Sequence, residues 1–381
     1  MLRSDFLILG AGASGLLLAY RMAKEAYFDD KTIIIIDQEI RNGNDRTWAY
    51  WEEKNGEWDA LLEKSWDQIY FGHKEYSKIS NIKPYRYKML RSKTIYKELW
   101  TVIQTKKNIT FYENKITKIE SLNDGISVHT DNEVYHSSKV FNSIPQNSKY
   151  LSQNKYPLLQ QHFIGWFIKT EKPCFDDSYA TFMDFQIPQK ENTRFMYVLP
   201  INKHEALIEY TLFSKTLLAK EEYERAIKEY LSNNNITKYS IIEKEKGVIP
   251  MTCYPFSKHN SKHLIHIGTS GGWTKASTGY TFLNCSIKTK KLITHLKHEG
   301  KLNEFEKKTR FWFYDLLFLD VLSQKNSLGN ELFSMLFKNV PVRIMLKFLS
   351  EKSSLKEDFQ IMRSFPAFEF LKALIKRLLP F

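Results

Sequence analysis

The sequence predicts a mixed α/β fold that is built from more than one subdomain. Residues 5–37 run from an apolar segment through a glycine-rich turn and a helical segment to a second apolar segment, which is the order of a βαβ unit. Residues 162–212 contain four aromatic and β-branched runs with short connections, which favours an antiparallel sheet. Residues 301–381 are rich in Phe, Leu and Lys, with helical spacing. We therefore expect an α/β domain, an antiparallel β domain and a helical C-terminal region.

The first turn of the chain has the spacing of a phosphate-binding loop. Gly10 permits the tight turn out of the first strand, Gly12 lets the backbone approach a pyrophosphate, and Gly15 lets helix and strand pack closely. Ser14 lies in the first turn of the helix that follows, whose free N–H groups and positive dipole end favour a bound anion. We therefore interpret residues 10–15 as a nucleotide-binding turn.

An acidic residue, Asp37, follows the second apolar run at residues 33–36. At this distance from the glycine turn a carboxylate can accept hydrogen bonds from an adenosine ribose, so the whole segment predicts dinucleotide binding. Two alternatives remain open. Residues 3–20 could pass for a secretory signal peptide, although Asp5 interrupts the flank and cleavage would remove part of a finished βαβ pattern. The turn could also be an ordinary glycine-rich connection.

The remaining elements follow from turn formers and apolar spacing. Residues 41–48 are typical of a loop, and residues 92–104 of a helix with one apolar side. Further helices are expected over residues 218–231 and 277–297. The expected strands are residues 109–112, 116–120, 126–130, 134–136, 139–144, 162–170, 179–186, 193–199, 205–212, 246–251 and 264–267.

The composition limits the class of protein. Three scattered cysteines fit a reducing compartment and give no disulfide framework or zinc site. His259, His263 and His266 precede and enter a predicted strand with no carboxylate close by, so we expect no metal site. The net charge of +13 suits an anionic surface, either a nucleic acid or a lipid headgroup layer. No run reaches the roughly 18 apolar residues of a transmembrane helix.

A second sequence of strand, turn and helix occurs late in the chain. Residues 264–267 lead into a turn that contains Gly268 and Gly272, and the helix over residues 277–297 follows. FAD is long enough to use two helix N-termini, one at its pyrophosphate and one facing the flavin carbonyl that becomes negative on reduction. The second turn therefore favours FAD over NAD(P), with a plain connection between strand and helix as the alternative.

Five segments and the basic, Phe-rich tail resemble one family of enzymes. The segments are residues 44–50, 182–184, 194–200, 207–211 and 271–280. They are similar, in the same order along the chain, to motifs of the lycopene cyclases, a flavin-dependent family that forms cyclic carotenoids. The resemblance implies a glutathione-reductase-like FAD-binding domain and an antiparallel β substrate domain, followed by a helical region that contacts a membrane. The corresponding boundaries are residues 1–150 with 252–300, residues 151–251 and residues 301–381.

The resemblance also implies FAD as the cofactor, active in its reduced form, with NAD(P)H as the reductant. On the matching segments it adds Thr47, Thr278 and Gly279 to the expected cofactor contacts. The contacts already expected are those of Gly10, Gly12, Ser14, Gly15, Asp37, Gly268 and Gly272. The family usually carries His-Pro where this chain has Lys275 and Ala276, so contact there is expected through backbone groups.

The reaction that the resemblance implies is closure of the linear ends of lycopene into β-rings, giving β-carotene through γ-carotene. A proton is added to an end-group double bond, the neighbouring double bond attacks the cation, and a proton is lost, without net oxidation or reduction. This chemistry needs a buried carboxylic acid, since desolvation raises a carboxyl pKa, and aromatic faces near the cation. Glu209 is the expected acid and base, with Asp184 as a second candidate. The aromatic candidates, which the sequence does not rank, are Trp166, Phe182, Phe195 and Tyr210.

Glu209 also has a competing interpretation. In an alternating strand it shares a face with Glu205, Leu207 and Thr211, which is typical of a solvated carboxylate. Many family members carry a second acid directly after this position, whereas here Tyr210 follows, so the acid role is concentrated on Glu209. Asp184, on its own strand, could instead hold structure or substrate geometry.

The C-terminal helix carries Leu371, Leu374, Ile375 and Leu378 with basic residues beside them. Such a helix either docks on the core or lies at a membrane interface. Because lycopene is insoluble in water, we expect peripheral contact with a membrane surface and, without a signal peptide or a transmembrane helix, a cytoplasmic location. Other enzymes of the carotenoid pathway are further candidate partners, and no nucleic acid is expected.

Two other functions remain open from the sequence. An FAD-dependent monooxygenase or isoprenoid reductase acting on a lipophilic substrate would share the fold but consume NAD(P)H with each turnover. A non-catalytic basic protein that binds lipid or nucleic acid would carry no bound flavin.

Overall fold

The computed structural model describes residues 1–145 and 150–378 of the chain. Residues 146–149, which belong to the predicted first domain, and residues 379–381, which end the predicted helical region, lie outside the described residues. The chain divides into two compact units. Unit 1 comprises Met1–Trp48, Arg91–Lys155 and Cys253–Thr309, and unit 2 comprises Ala49–Leu90, Tyr156–Thr252 and Arg310–Phe381. Residues 49–90, which the sequence analysis includes in the first domain, thus belong to unit 2.

Strands dominate the first two thirds of the chain and helices the last third. In chain order, the helices and strands of the described residues are β1 (Leu2–Leu9), α1 (Ala13–Ala23), β2 (Ile33–Asp37), β3 (Thr47–Glu53), β4 (Lys64–Trp66), β5 (Gln68–Gly72), β6 (Ser77–Asn81), β7 (Tyr85–Arg91), α2 (Ser92–Ile103), β8 (Ile109–Glu113), β9 (Ile116–Ser121), β10 (Ile126–Thr130), β11 (Val134–Asn142), β12 (Leu158–Thr170), β13 (Ala180–Asp184), β14 (Thr193–Pro200), β15 (Glu205–Ser214), α3 (Lys220–Asn233), β16 (Tyr239–Thr252), β17 (Leu264–His266), α4 (Phe282–Lys297), α5 (Arg310–Gln324), α6 (Gly329–Asn339), α7 (Val342–Leu349), α8 (Leu355–Met362) and α9 (Ala367–Leu378).

Unit 1 is built on a mixed sheet with the strand order β8–β2–β1–β11–β10–β9, and β17 pairs with β11. Strands β8, β2, β1, β11 and β17 pair in parallel, whereas β9 and β10 pair antiparallel. Strand β1 leads through α1 back to the adjacent strand β2, which is the predicted βαβ unit. Leu7, Ile34 and Val140 are buried in one apolar cluster on this sheet, as expected for parallel strands that are covered by other elements.

Unit 2 contains a larger sheet with the order β16–β12–β15–β14–β13–β5–β6 and a small sheet with the order β3–β7–β4. Strands β12 to β16 pair antiparallel, as the runs in residues 162–212 predict, while β13 and β5 are parallel. Alternate residues of each strand point to opposite faces of the sheet. The two faces of the larger sheet have different coverings.

One face of the larger sheet packs against helix α3. Trp166, Met196 and Ile208 are buried on this face together with Tyr223 and Ile227 of the helix. The helix lies against β12 and β15. This side of the sheet is therefore an apolar core.

The opposite face of the larger sheet lies under the C-terminal helices. Helix α5 contacts β12 and β16, and helix α6 contacts β14. The ring of Phe333 in α6 packs on Phe213 of β15 with centroids 6.2 Å apart, and Asn326 Nδ2 donates to the Phe213 carbonyl at 2.9 Å. This face carries Glu209, and the alternation of residues along the strand predicts that it is exposed to solvent. In the structure the C-terminal helices cover it.

The mixed α/β class and most predicted elements are confirmed, with differences where the local pattern is weak. The two strands predicted between residues 134 and 144 form the single strand β11, and β16 begins at Tyr239 rather than at Lys246. Helix α4 begins at Phe282, because the backbone of residues 275–279 closes a tight turn before it. Strands β3 to β7 are not predicted from the sequence: β4, β5 and β6 have only three to five residues, and β3 and β7 carry charged residues.

The apolar core under the sheet gives a stability prediction. Ile227 is fully buried, so Ile227→Ala leaves a cavity between α3 and the sheet and is expected to lower the free energy of unfolding by about 2–5 kcal/mol. Denaturant titration followed by circular dichroism measures this loss. Ile242→Ala, at an exposed position of β16, is the matched control and should change the same quantity by less than about 0.5 kcal/mol. Equal losses in both variants would contradict the packing of α3.

Candidate functional site

The first glycine turn of unit 1 has a backbone that requires glycine at its first position. Gly10 has a φ of +94°, and its N–H donates to the Ile36 carbonyl of the neighbouring strand at 2.8 Å. A Cβ atom at this position would lie 2.3 Å from Ser143 Oγ. Any side chain at position 10 would therefore strain the backbone and displace the end of β11.

The turn leaves open space where a phosphate would approach it. Gly12 is the residue before α1, and no described atom lies within 4 Å of the position that its Cβ would occupy. No described side chain caps the N-terminus of α1. Gly15 packs so closely that its Cβ would lie 2.0 Å from the Gly10 carbonyl oxygen. These features fit a pyrophosphate at the N-terminus of the helix.

The Asp37 carboxylate lies against the same turn. Its Oδ2 accepts a hydrogen bond from the Ala11 N–H at 2.6 Å, and its Oδ1 accepts one from the Gln38 N–H at 2.7 Å. Asp37 therefore fixes the glycine turn relative to β2. Its predicted contact with a ribose stays a prediction, and each carboxylate oxygen retains a second acceptor site for it.

The second glycine turn lies next to the first. Gly268 has a φ of +64°, and its Cβ would lie 2.3 Å from Ser14 Oγ in the first turn of α1. The Ser14 hydroxyl donates to Cys285 Sγ of α4 at 3.2 Å. Ser270 Oγ donates to the Ser143 carbonyl at 3.2 Å, at the end of β11. The structure thus brings together the two turns that the sequence places more than 250 residues apart.

The segment that follows the second turn holds buried hydroxyl groups without partners. The Gly279 N–H donates to the Lys275 carbonyl at 2.8 Å and closes a tight turn. Ser277 Oγ and Thr278 Oγ1 are buried there and have no hydrogen-bond partner among the described residues. A buried hydroxyl without a partner costs free energy, so these atoms fit a site that a polar ligand completes. The donors and the space of this region fit FAD.

The predicted Thr47 contact lies in a neighbouring part of unit 1. Thr47 begins strand β3, and the ring of the next residue, Trp48, stacks on Phe282 at the start of α4 with centroids 4.9 Å apart. Trp48 also meets Tyr96 edge to face at 5.8 Å. The segment around Thr47 is therefore held against the start of α4, after the second glycine turn.

The Glu209 side chain of unit 2 is buried, with 8% of its surface exposed. The interpretation of Glu209 as a solvated strand carboxylate is therefore wrong, because the C-terminal helices cover its face of the sheet. Thr211 Oγ1 donates to Glu209 Oε1. Burial and then the charge of Glu245 raise the pKa of Glu209 to about 8, although the Thr211 hydrogen bond acts in the opposite direction. Glu209 thus holds a proton at neutral pH.

Glu209 lies in a row of residues that crosses four strands. It pairs with Tyr197 of β14 on one side and with Gly165 of β12 on the other, and Gly165 pairs in turn with Glu245 of β16. Paired residues point to the same face of a sheet. Glu245 is buried as well, so two buried carboxyl groups share this face with a glycine between their strands.

Sequence reasoning misses Glu245, although a signal is present. The predicted strand begins at Lys246, whereas β16 extends back to Tyr239. In the longer strand the charges alternate, with Glu243 and Glu245 on one face and Lys244 and Lys246 on the other. Lys244 and Lys246 are exposed while Glu245 is buried. The alternation of positive and negative residues therefore indicates which face of the strand is exposed and which is covered.

Asp184, the second predicted acid, lies apart from this pair. It pairs with Met196, which belongs to the face covered by α3, and its Oδ2 accepts a hydrogen bond from the Tyr230 hydroxyl of that helix at 2.9 Å. Its Oδ1 accepts from the Gln186 N–H at 3.0 Å, and burial raises its pKa. These contacts join β13 to α3, and a catalytic role for Asp184 stays a prediction.

The structure separates the four aromatic candidates into two pairs. Trp166 and Tyr210 belong to the core under α3. Phe195 lies on the Glu209 face, where its ring meets Phe213 at 5.5 Å. Phe182 meets the ring of Tyr87 at 5.4 Å, and the Tyr87 hydroxyl contacts the Tyr197 hydroxyl. Phe182 and Phe195 are therefore the candidates that line the Glu209 side of the sheet.

Of the three histidines that precede and enter β17, His259 and His263 contact different partners. His259 Nε2 lies 2.6 Å from the Tyr254 hydroxyl, and His263 Nδ1 lies 2.8 Å from the Ser138 carbonyl oxygen. No group of three or more His, Cys, Asp or Glu side chains suited to a metal ion occurs in residues 1–145 and 150–378. The expectation that the chain binds no metal stays a prediction.

Comparison with solved structures identifies the fold. A geranylgeranyl bacteriochlorophyll reductase-like protein from Thermoplasma acidophilum is 12% identical, with 99% of this chain and 97% of that chain covered and a TM-score of 0.61. A flavoprotein/dehydrogenase from Cytophaga hutchinsonii is 10% identical, with 99% of both chains covered and a TM-score of 0.60. The halogenase PltM in complex with phloroglucinol and FAD is 12% identical, with 97% and 86% covered and a TM-score of 0.58. The predicted fold class is confirmed, since these neighbours have flavoprotein folds with an FAD-binding domain.

Comparison of sequences gives the family. A search of curated protein sequences found no significant match. The protein-family model described as lycopene cyclase protein matches residues 5–375, which is nearly the whole chain. Together with the two glycine turns and the buried Glu209, this match shows that the chain belongs to the lycopene cyclase family.

Proposed function

We propose that the protein is a lycopene β-cyclase, which closes the linear ends of lycopene into β-rings and gives β-carotene through γ-carotene. The observation that carries this proposal is the buried Glu209 carboxyl, whose pKa is raised to about 8. Ring closure begins with addition of a proton to a carbon–carbon double bond, which needs an acid held away from water. A carboxylic acid that stays protonated at neutral pH meets this requirement.

The proposed reaction adds one proton and removes one. Glu209 Oε donates its proton to an end-group double bond, which leaves a tertiary cation. The neighbouring double bond attacks this cation, and the new carbon–carbon bond closes the ring. The ring cation then loses a proton to a base, which forms the double bond of the β-ring, so that no electrons are gained or lost overall.

The aromatic residues on the Glu209 face suit a cationic intermediate. Phe195, Phe213 and Tyr197 lie on this face, and Phe182 joins them through Tyr87. A desolvated aromatic face stabilises a cation by about 0.5–2 kcal/mol, and it does so without supplying a nucleophile that would capture the cation. A covered face also excludes water, which would otherwise add to the cation.

FAD is the proposed cofactor of unit 1. Gly12 and the N-terminus of α1 would hold the pyrophosphate, and Ser277 and Thr278 would donate hydrogen bonds to the flavin part. Reduced FAD, when bound, would supply an electron-rich ring system. NAD(P)H is the proposed reductant, used to reduce the flavin before turnover and not consumed with each product.

The acid assignment predicts the effect of Glu209→Gln. The amide has a similar shape but donates no acidic proton, so β-carotene formation is expected to fall by about 100-fold or more. Pigment analysis of cells that accumulate lycopene and express the variant measures the effect. Glu205→Gln is the matched control, since Glu205 lies on the same strand and face but pairs with Lys169 at the surface. This variant should form as much β-carotene as wild type.

Two results of this experiment would oppose the proposal. Unchanged β-carotene formation with Glu209→Gln would remove Glu209 as the acid. If the wild-type protein is folded and carries flavin but leaves the lycopene unconverted, the cyclase assignment is wrong. If this protein instead oxidises one NAD(P)H for each molecule of another product, we would assign it as a monooxygenase or reductase.

The open space at Gly12 predicts a selective loss of cofactor. Gly12 has an extended backbone that alanine also adopts, so Gly12→Ala should fold normally while its methyl group occupies the space of the phosphate. Flavin affinity is expected to weaken at least about tenfold, measured by flavin absorbance during titration. Gly43→Ala, which also adds a methyl group in open space but outside the turn, is the control. Equal flavin affinity in wild type and Gly12→Ala would contradict this binding mode.

A membrane surface is the proposed source of the lipophilic substrate. No helix in the described ranges is long and apolar enough to cross a bilayer. Helix α9 docks on unit 2 through Ala373 and through Arg377, whose guanidinium donates twice to the Asp320 carboxylate. Its other side is apolar and exposed: Phe368 is 74% exposed and Leu378 68% exposed.

Two consecutive helices, α8 and α9, carry exposed apolar side chains. Those of α9 are Phe368, Leu371, Ile375 and Leu378, and those of α8 are Leu355, Phe359 and Met362. Cationic side chains accompany them at Lys356, Arg363, Lys372 and Lys376. An apolar stripe with flanking cations is complementary to an anionic lipid surface, which we propose as the occupant of this face. The predicted stripe residue Leu374 instead lies partly inside, beside Ala373.

This face gives a binding prediction. The triple variant Phe368→Ser, Leu371→Ser and Ile375→Ser should bind vesicles of anionic phospholipid at least about tenfold more weakly than wild type, because it removes apolar burial in the bilayer. Co-sedimentation measures the bound fraction. The control is a triple serine variant at other exposed apolar positions, Leu122, Leu217 and Ile242. Retention of the wild-type protein on nucleic acid but not on vesicles would contradict the assignment of this face to lipid.

A further inference from the structure

We infer that Glu245 is the base of the proposed cyclisation and that it forms, with Glu209, a pair of carboxyl groups that carries one proton. This inference rests on the proposed cyclase function. It assigns the proton lost from the ring to Glu245, whereas the sequence motifs name Glu209 as both acid and base.

The geometry that supports the pair is centred on Gly165. Neighbouring strands are about 4.8 Å apart, so Glu209 and Glu245 lie one on each side of β12 and point to the same face. A Cβ atom on Gly165 would lie 3.2 Å from Glu245 Cγ and 3.4 Å from Glu245 Oε1. The Glu245 side chain therefore leans over the glycine, into the space that any other residue of β12 would fill.

Burial makes the pair share a proton. Glu209 and Glu245 are each only 8% exposed. Two buried carboxylates repel each other, so a state with one proton on the pair is favoured over a state with two negative charges. Burial and the Glu245 charge act in the same direction on the pKa of Glu209, which is raised to about 8.

A pair with one proton contains both the acid and the base that ring closure needs. The O–H bond of Glu209 breaks as the new C–H bond forms on the substrate, which leaves two carboxylates and one substrate cation. The ring then loses a proton to a Glu245 oxygen, and the electrons of that C–H bond form the ring double bond. Transfer of the proton from Glu245 to Glu209 restores the starting state, so the cycle needs no further acid, base or oxidant.

The hydroxyl groups next to Glu209 are poorer bases than a carboxylate. Tyr197 and Thr211, which lie next to Glu209, carry hydroxyl groups that are neutral at pH 7. Other titratable or charged groups on the elements that pack here are Lys169 of β12, Glu243 of β16, Arg310, Tyr314, Asp315 and Asp320 of α5 and Glu331 of α6, and Tyr87 of β7 contacts Tyr197. None of these is paired across Gly165, and all of them stay unchanged when Glu245 alone is replaced.

The decisive variant is Glu245→Gln in the full-length protein with its flavin bound. Without the base, cyclisation of lycopene is expected to slow by about 100-fold or more, and the residual product should contain a larger share of rings in which the proton is lost from another carbon. Chromatography of the carotenoids measures both quantities. Flavin content should match wild type and thermal unfolding should remain a single cooperative transition, which separates this effect from a failure to fold. Glu205→Gln again serves as the control.

The pH dependence supplies a readout that a merely structural glutamate would not change. Wild-type activity should fall as pH rises through about 8, because the pair then loses its proton. In Glu245→Gln the repulsion is gone, so Glu209 gives up its proton at lower pH and the alkaline limb of the residual activity moves to lower pH.

Thermal unfolding should follow the same ionisation. Since the folded pKa of Glu209 lies above its usual value of 4.5, its contribution to stability is present below that value and is lost as pH rises through about 8. Glu245→Gln should reduce this alkaline loss of melting temperature, because only one buried carboxyl group then remains. This measurement needs no substrate and tests the coupling of the pair directly.

Gly165→Ala tests the space between the two groups. The added methyl group would lie 2.9 Å from Leu207 Cδ1 and 3.2 Å from Glu245 Cγ, so it shifts both side chains but removes neither carboxyl group. Activity should fall, and the alkaline limb should move towards that of Glu245→Gln.

The outcomes separate the two proposals. A wild-type protein that forms no cyclic carotenoid overturns the proposed function whatever Glu245 does. An active wild type together with a Glu245→Gln variant of normal rate, product and pH profile overturns only the inference about Glu245. A Glu245→Gln variant with a shifted pH profile but normal rate and product also overturns it, because Glu245 would then tune Glu209 without acting as the base.

Discussion

The constraint on which unit 2 depends is the burial of a carboxyl group on a covered sheet face. The ionised form of such a group is costly under apolar helices, so the fold keeps Glu209 in its protonated form. The covering helices therefore do more than complete the core. They convert a strand glutamate, which in water would be a weak proton donor already ionised at neutral pH, into a carboxylic acid that still has a proton to give.

The nucleotide-binding features of unit 1 could be predicted from sequence because they are local. The turn from Gly10 to Gly15 and the acid Asp37 lie within one βαβ unit, and the physical requirement on each residue is set by its immediate neighbours. The contact of Gly268 with Ser14 is not local. It can nevertheless be anticipated in outline, because both turns show the same order of strand, glycine and helix.

The environment of Glu209 could not be predicted in the same way. Alternation assigns Glu205, Leu207 and Thr211 to its face, and that pattern is the same whether the face is wet or covered. The covering helices, α5 and α6, lie about a hundred residues further along the chain. The sequence of β15 alone does not indicate that these helices cover the sheet. Glu245 could not be predicted either, because its position also depends on strand pairing. It lies near Glu209 only because β15 and β16 pair with the same strand, β12.

The two units also show why the dinucleotide motif does not decide the chemistry. Solved structures of similar fold include a reductase-like protein and a halogenase in complex with FAD, so this fold occurs in proteins named for different reactions. In this chain, the sheet of unit 2 carries a row in which Gly165 lets two carboxyl groups share one face. Hydride transfer needs no such pair, whereas a reaction that consumes one proton and releases another needs an acid and a base at once. The proposed reaction therefore rests on the side chains of the larger sheet in unit 2, whereas the glycine turns of unit 1 indicate only the cofactor.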